Sequence, residues 1–225
     1  MARVVIVSNR LPISVKKVDG QLQFYPSSGG LASSLGSYAK SKSNKWVGWP
    51  GIASDDLTDE ETQEISKRLK VHNCYPVFLT QKQINGFYNG YSNGVLWPFF
   101  HNLPVTSKRQ DNDWVCYQKV NRLFAETVLG LSTRGGTIWI HDYQLLLLPE
   151  LLRNERPYEL LGFFLHTPFP PAKKMQKLRH AKSLLRGMLG ADLSGFHTSG
   201  YVQDFLESCR ANRIGEPSEG EVTIN

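Results

Sequence analysis

The stretch "VVIVSNRLP", residues 4–12, decides the fold. Four β-favouring apolar residues in a row mark a strand covered on both faces, as the central strands of parallel sheets are. The run breaks at once into Ser8, Asn9 and Arg10, and Pro12 forbids its continuation. A buried strand that ends on a guanidinium implies an anion to be met at its carboxyl end.

The same pattern returns along the chain. "KWVGW" (45–49), "YPVFLT" (75–80), "TIWIH" (137–141), "LLGFFLH" (160–166) and "ADLSGFH" (191–197) read as further strands, the last three ending on polar residues or histidine. Helical patterns lie between them. Thr58 with Glu61 forms a capping box for a helix to about Leu69, and Thr80 with Gln83 caps another. Val120, Leu123, Phe124 and Val128 form a helix stripe within 114–131, and Met175, Leu178, Leu185 and Met188 form one within 173–189. A helix over 31–40 follows Gly29 and Gly30, and "ISVKKVDGQLQFY" (13–25) reads as a hairpin turning at Asp19-Gly20. This alternation predicts a doubly wound α/β domain around a parallel sheet. No internal repeat or low-complexity segment interrupts it. The closing "IGEPSEGEVTIN" (214–225) reads as a turn and the beginning of a strand, so the chain is expected to be cut from something longer.

At 225 residues, with 40% hydrophobic and 20% charged residues, the chain can bury a core of its own. The net charge of +6 points to phosphorylated small molecules or nucleic acid. Six basic residues with no acidic one fall between Lys173 and Arg186, so the rest is close to neutral. That basic segment has neither interleaved aromatics nor a binding motif, which argues against nucleic acid. The three cysteines, Cys74, Cys116 and Cys209, lack the spacing of a disulfide framework or a zinc site. Without an apolar run long enough for a signal peptide or a membrane span, the expectation is a cytoplasmic protein with reduced thiols.

Ligands of doubly wound sheets bind beyond the carboxyl ends of the strands. This sequence sends Asn9-Arg10, His141-Asp142 and His166 there. Arg10 offers a planar fork for phosphate, Asp142 an acceptor for sugar hydroxyls, and His166 a donor or acceptor. Each also has a structural explanation taken alone: an ion pair for Arg10, a helix cap for Asp142, a satisfied core histidine for His166. Together, at neighbouring strand ends, they favour a site. Gly29-Gly30 before a helix suits an anion without matching a nucleotide-binding fingerprint. "GFYNGYSNGVLWPFFH" (86–101), with Asn89-Gly90 and Asn93-Gly94, reads as a loop in which Tyr88 and Trp97 offer flat rings to a sugar. Asp111-Asn112-Asp113 has the look of a D-x-D metal motif but is read as the N-cap of the helix at Trp114, so no metal site is expected.

In order, "VSNRLP", "SGGLASSL", "WVGWPG", "FYNGYSNGVLWPFFH", "IHDYQLLLLPELLR", "GFFLHTPFP" and "LGADLSGFHT" resemble glycosyltransferase family 20, the trehalose-6-phosphate synthase family, over residues 3 to about 208. The resemblance implies the Rossmann-like amino-terminal lobe of a two-lobed GT-B glycosyltransferase. Residues 1–225 would be a single acceptor-binding domain, with the carboxyl-terminal donor-binding lobe absent from the chain. It implies transfer of glucose from UDP-glucose to glucose 6-phosphate with retention, by a displacement in which the leaving diphosphate helps deprotonate the acceptor, without cofactor or bound metal. Carried over, Arg10 matches the arginine on the acceptor phosphate, and Tyr88, Trp97 and Asp142 match acceptor-pocket positions. Gly29 and Gly30 match the loop on the donor diphosphate, and His166 the histidine beside the reacting centre. His166 and Asp142 are the expected catalytic pair. Gln144 departs from a usual histidine, Lys173 and Lys174 from a small-acidic pair, and Arg179 from a proline. A non-catalytic sugar-phosphate-binding regulatory subunit and a sister synthase such as glucosylglycerol-phosphate synthase stay open, as does a homo-oligomer.

Overall fold

The computed structural model describes residues 4–27, 30, 35, 44–108, 110–131, 135–218 and 220–223. Strand β1 (Val4–Arg10) lies near the middle of a six-stranded parallel sheet. Outward on one side run β4 (Lys45–Trp49) and β5 (Cys74–Pro76); on the other run β6 (Thr137–His141), β7 (Leu160–Phe164) and β8 (Leu193–Gly195). Counting sheet strands alone, the order is 3-2-1-4-5-6, the dinucleotide-fold order whose direction reverses between β1 and β6. Val5 and Val7 pack on one face of β1 and Ile6 on the other, all fully buried, so the uninterrupted apolar run is required by layers on both sides. The DG hairpin forms as expected from β2 (Ile13–Val18) and β3 (Gln21–Pro26), with Asp19 and Gly20 both at positive φ.

Helix α1 (Asp59–Lys70) starts on the Thr58–Glu61 capping box, with both reciprocal hydrogen bonds present. α2 (Gln110–Leu129), α3 (Leu148–Glu155), α4 (Ala181–Leu189) and α5 (Ser199–Asn212) complete the longer helices among the described residues. Asp111 and Asp113 lie inside the first turn of α2, where they complement its dipole; neither is its cap. The helix expected over 173–189 is two pieces, Ala172–Met175 and α4, joined by a turn, although its four stripe residues are all buried as anticipated. "YPVFLT" keeps strand structure only to Pro76, with one isolated bridge at Leu79. The helix expected over 31–40 lies, apart from Leu35, outside the described residues. Glu216–Ser218 and Glu221–Thr223 pair as a small antiparallel ribbon.

The segment read as a loop is a correction. After a Thr80–Gln83 capping box, Ile84–Leu96 is wound as a π-helix that runs into a final turn at Trp97–Phe100. Its Asn-Gly pairs suggested turns, but the glycines recur at every fourth residue, and Gly86 and Gly90 face α2. A Cβ at Gly86 would come within 2.5 Å of Cys116 Sγ, and one at Gly90 within 2.5 Å of the Asp113 carboxylate. One at Gly94 would reach Ser107. The glycines let this helix press against α2, and aromatic packing of Phe87 and Tyr91 on Tyr117 fills the rest of the seam.

Candidate active site

The carboxyl ends of β1, β6 and β7 are adjacent, so Arg10, Asp142 and His166 share one rim at the point where strand order reverses. β1 reaches it through an irregularity: Val7 pairs with Val47, but Arg10 pairs with Trp49, leaving one extra residue on β1. Such a bulge re-aims the side chain that follows it. Ser8 Oγ donates to the carbonyl of Arg10 at 2.8 Å and accepts from Trp46 Nε1 at 2.7 Å, which fixes the bulge. Gly48 makes room for it, because a Cβ there would sit 2.8 Å from the Ser8 carbonyl.

The Arg10 guanidinium lies over the Trp49 ring, 4.5 Å from its centroid, and makes no ion pair with a carboxylate among the described residues. Gly51, at φ 96°, admits it; a Cβ there would be 2.9 Å from Nη2. Partial burial draws the Arg10 pKa below its ordinary value, and the charge of the Tyr88 phenol acts the other way. Tyr88 tilts against Trp49 with ring centroids 6.0 Å apart. Arg10, Trp49 and Tyr88 are thus one unit, with a cation that has no carboxylate counterion among the described residues.

Asp142 is a strained residue. Its φ of 76° with ψ of 169° falls in a region that essentially only glycine adopts at ease. Its Oδ1 accepts from Tyr143 N at 2.9 Å and from His166 N at 3.2 Å, while Oδ2 has no hydrogen-bond partner among the described residues. Burial pushes its pKa up to about 6, opposed by those two backbone bonds and by His197 and His101. His166 stands over it with Nε2 3.0 Å from Nδ1 of His141. Burial, then His197, lowers the His166 pKa, and burial, then His166, takes that of His141 to about 3.

The turn carrying Asp142 is held from behind by α2. Tyr117 Oη donates to the Tyr143 carbonyl at 2.7 Å and accepts from Leu146 N at 3.0 Å. Asn121 Nδ2 donates to the Gln144 carbonyl at 3.1 Å, and Tyr143 Oη donates to Asn93 Oδ1 at 2.8 Å. The π-helix and α2 therefore both grip this turn. Gln144, which departs from the usual histidine, is buried.

Of the other anticipated residues, Tyr88 is half-buried beside Arg10, and Trp97 is 41% exposed at the rim. Trp97 stacks on His101 at 4.3 Å, and His101 acts to lower the Asp142 pKa. Gly30 is helical and exposed, and a Cβ there meets nothing within 4 Å; Gly29 lies outside the described residues. Lys174 donates to Asn102 Oδ1 at 2.6 Å and to the Phe99 carbonyl, and Arg179 pairs with Asp111. Two members of the basic segment are therefore structural ties. The residues that sequence reading passed over are Trp49, Tyr117, Asn121 and the role of His141. A signal existed for two of them: Tyr117 and Asn121 continue the Phe124–Val128 stripe with polar side chains, and polar groups at core positions are there to bond something.

The strand order, with Arg10, Asp142 and His166 on the rim where it reverses, is that of a Rossmann-like lobe of the kind that makes the amino-terminal half of GT-B glycosyltransferases. Comparison with known proteins makes the assignment specific. The model of glycosyltransferase family 20 matches residues 2–219. An α,α-trehalose-phosphate synthase (UDP-forming) of Botryotinia fuckeliana is 44% identical over 214 residues, covering 92% of this chain and 40% of its own. One from Dictyostelium discoideum is 42% identical, covering 92% of this chain and 28% of its own. The crystal structure of a UDP-forming synthase from Burkholderia xenovorans superposes with a TM-score of 0.76 at 28% identity, covering 97% of this chain and 44% of that one. The amino-terminal domain of a trehalose-6-phosphate phosphatase from Candida albicans superposes with a TM-score of 0.81 at 31% identity, covering 100% and 47%. The chain belongs to glycosyltransferase family 20. It spans less than half the length of these relatives.

Proposed function

We propose that residues 1–225 form the acceptor-binding lobe of a retaining, UDP-glucose-dependent synthase of α,α-trehalose 6-phosphate, completed by a donor-binding lobe outside this chain. The observation that carries this reading is the unpaired Arg10 guanidinium, held on Trp49 at the strand-order reversal beside Asp142 and His166. A dianionic phosphate is the counterion such a fork takes, in a charge-assisted and bidentate way. Tyr88 stands beside it, and Trp97 closes the rim with a ring face for a hexose. The Oδ2 oxygen of Asp142 accepts a hydroxyl of the acceptor while Oδ1 stays tied to the backbone. Because Oδ1 is locked, Asp142 orients the acceptor and does not swing in as a nucleophile. His166 holds its place beside the reacting centre from the next strand end. Gly29 and Gly30, through the family resemblance, meet the donor diphosphate, whose oxygens take the acceptor proton as the bond to the sugar breaks.

Calorimetric titration of the chain with glucose 6-phosphate tests this. Arg10→Ala removes a charge-assisted contact worth about 1.5–3 kcal/mol, and equal binding by both forms defeats the proposal. The likeness to a phosphatase's amino-terminal domain supports a second reading, a non-catalytic sugar-phosphate module. Trehalose 6-phosphate production by the uninterrupted protein, lost in Asp142→Asn, separates the two.

A further inference from the structure

We propose that His141 is a positioning residue that fixes the His166 imidazole as its Nδ1–H tautomer, so that His166 meets the cleft only as a hydrogen-bond donor. The two rings share one hydrogen across 3.0 Å, between Nδ1 of His141 and Nε2 of His166. Two arrangements satisfy that bond between neutral rings. In one, His141 Nδ1–H donates, His166 Nε2 accepts, and the proton of His166 resides on Nδ1. In the other, His166 Nε2–H donates, and His141 must carry its own proton on Nε2.

The surroundings of His141 Nε2 decide between them. That atom is buried in a residue 1% exposed, with no hydrogen-bond partner, and the ring lies 4.5 Å from the Trp139 ring centroid. An N–H placed there would be an orphaned buried donor, a rarer situation than an unsatisfied acceptor. The first arrangement is favoured because it leaves only an unmet acceptor at that buried atom, where the second leaves an unmet donor. Burial holds His141 neutral, with its pKa at about 3, so a doubly protonated ring does not intervene. The ionisable groups facing this pair are His197, whose ring centroid is 5.9 Å from that of His166, and Asp142, whose Oδ1 accepts from the His166 backbone. Nδ1 of His166 has no hydrogen-bond partner among the described residues.

The consequence for catalysis rests on the functional reading above; the tautomer does not. With Nε2 occupied and Nδ1 protonated, His166 donates to a sugar or phosphate oxygen and cannot receive the acceptor's proton. The base must then be another group.

Nitrogen-15 NMR of the chain labelled at its six histidines, near pH 7.5 and assigned by single replacements, reads this directly. The expected spectrum has His166 Nδ1 at a pyrrole-type shift and Nε2 at a pyridine-type shift, with the same pattern for His141. In folded His141→Phe, His166 loses its donor, and its Nδ1 moves to the pyridine-type position as the Nε2–H form takes over. An Nε2–H His166 in the unaltered chain overturns the proposal, as does an unchanged Nδ1–H form in folded His141→Phe. Where His141→Phe does not fold, the spectrum of the unaltered chain decides by itself. Added glucose 6-phosphate gives the separate answer: no response at any residue of the cleft, with the tautomer in place, sinks the functional reading alone.

Discussion

The guanidinium of Arg10 rests 4.5 Å from the centroid of the Trp49 ring, and Gly51 beyond it leaves no space for a side chain. The stack fixes the charge without neutralising it, which a carboxylate partner would do. Trp49→Leu therefore removes the platform while keeping an apolar residue. Affinity for glucose 6-phosphate is expected to fall by about 0.5–2 kcal/mol, with Trp49→Phe in between. Calorimetry of the two variants checks the order.

Asp142 links binding to pH. Its pKa is raised to about 6 by burial, so the folded state holds this proton more tightly than the unfolded chain does. The stability it contributes is present below the ordinary carboxylate pKa and is lost as pH rises through about 6. Asp142→Asn is expected to match the parent near pH 4 and to exceed it at pH 7.5 by about 2–3 kcal/mol in urea unfolding. Binding runs the other way: sugar-phosphate affinity rises with pH as Asp142 ionises. The ligand's own second ionisation, near 6, has the same sign, so the Asp142 share is the part of the pH dependence that the variant loses.

The hydroxyl of Tyr117 joins two backbone groups of the Asp142 turn from inside the core. Tyr117→Phe keeps the ring and strands a carbonyl and an N–H. It is expected to cost about 1–3 kcal/mol of stability and to weaken sugar-phosphate binding, since nothing else on α2 holds the Tyr143 carbonyl. Urea unfolding and calorimetry on the same sample read both effects.

Gly86→Ala and Gly90→Ala each push a methyl into Cys116 or the Asp113 carboxylate. Alanine normally favours a helix over glycine by about 1 kcal/mol, yet here each change is expected to destabilise by about 1–3 kcal/mol. A rise in melting temperature for either variant would refute the close-packed seam.

The sheet was legible because its strands are apolar runs cut off by polar residues, and that pattern depends on neither packing detail nor register. Arg10, Asp142 and His166 could be placed together for the same reason: strand ends in a doubly wound sheet share one rim. The 84–96 segment was not legible, because Asn-Gly pairs signal turns locally and only the partner helix shows that the glycines are wanted for their missing side chains. Trp49 lay inside a recognised strand, yet its bond to Arg10 depends on the extra residue in β1, a feature of pairing that a single chain segment does not display. His141 was visible as a strand end, but its bearing on His166 emerges only when two rings 25 positions apart come within hydrogen-bond reach.

The place of β1 also bears on how the molecule is made. Its neighbour β6 aligns Thr137 with Val4, so β1 gains its second partner only after more than 130 further residues. At ribosomal speeds that is a delay of roughly ten seconds, during which the β1 edge that β6 will cover, along Val4 to Val7, stays unpaired. Early ribosome-bound intermediates of this chain should therefore be prime clients for a nascent-chain chaperone, and truncations ending before Thr137 should aggregate instead of folding.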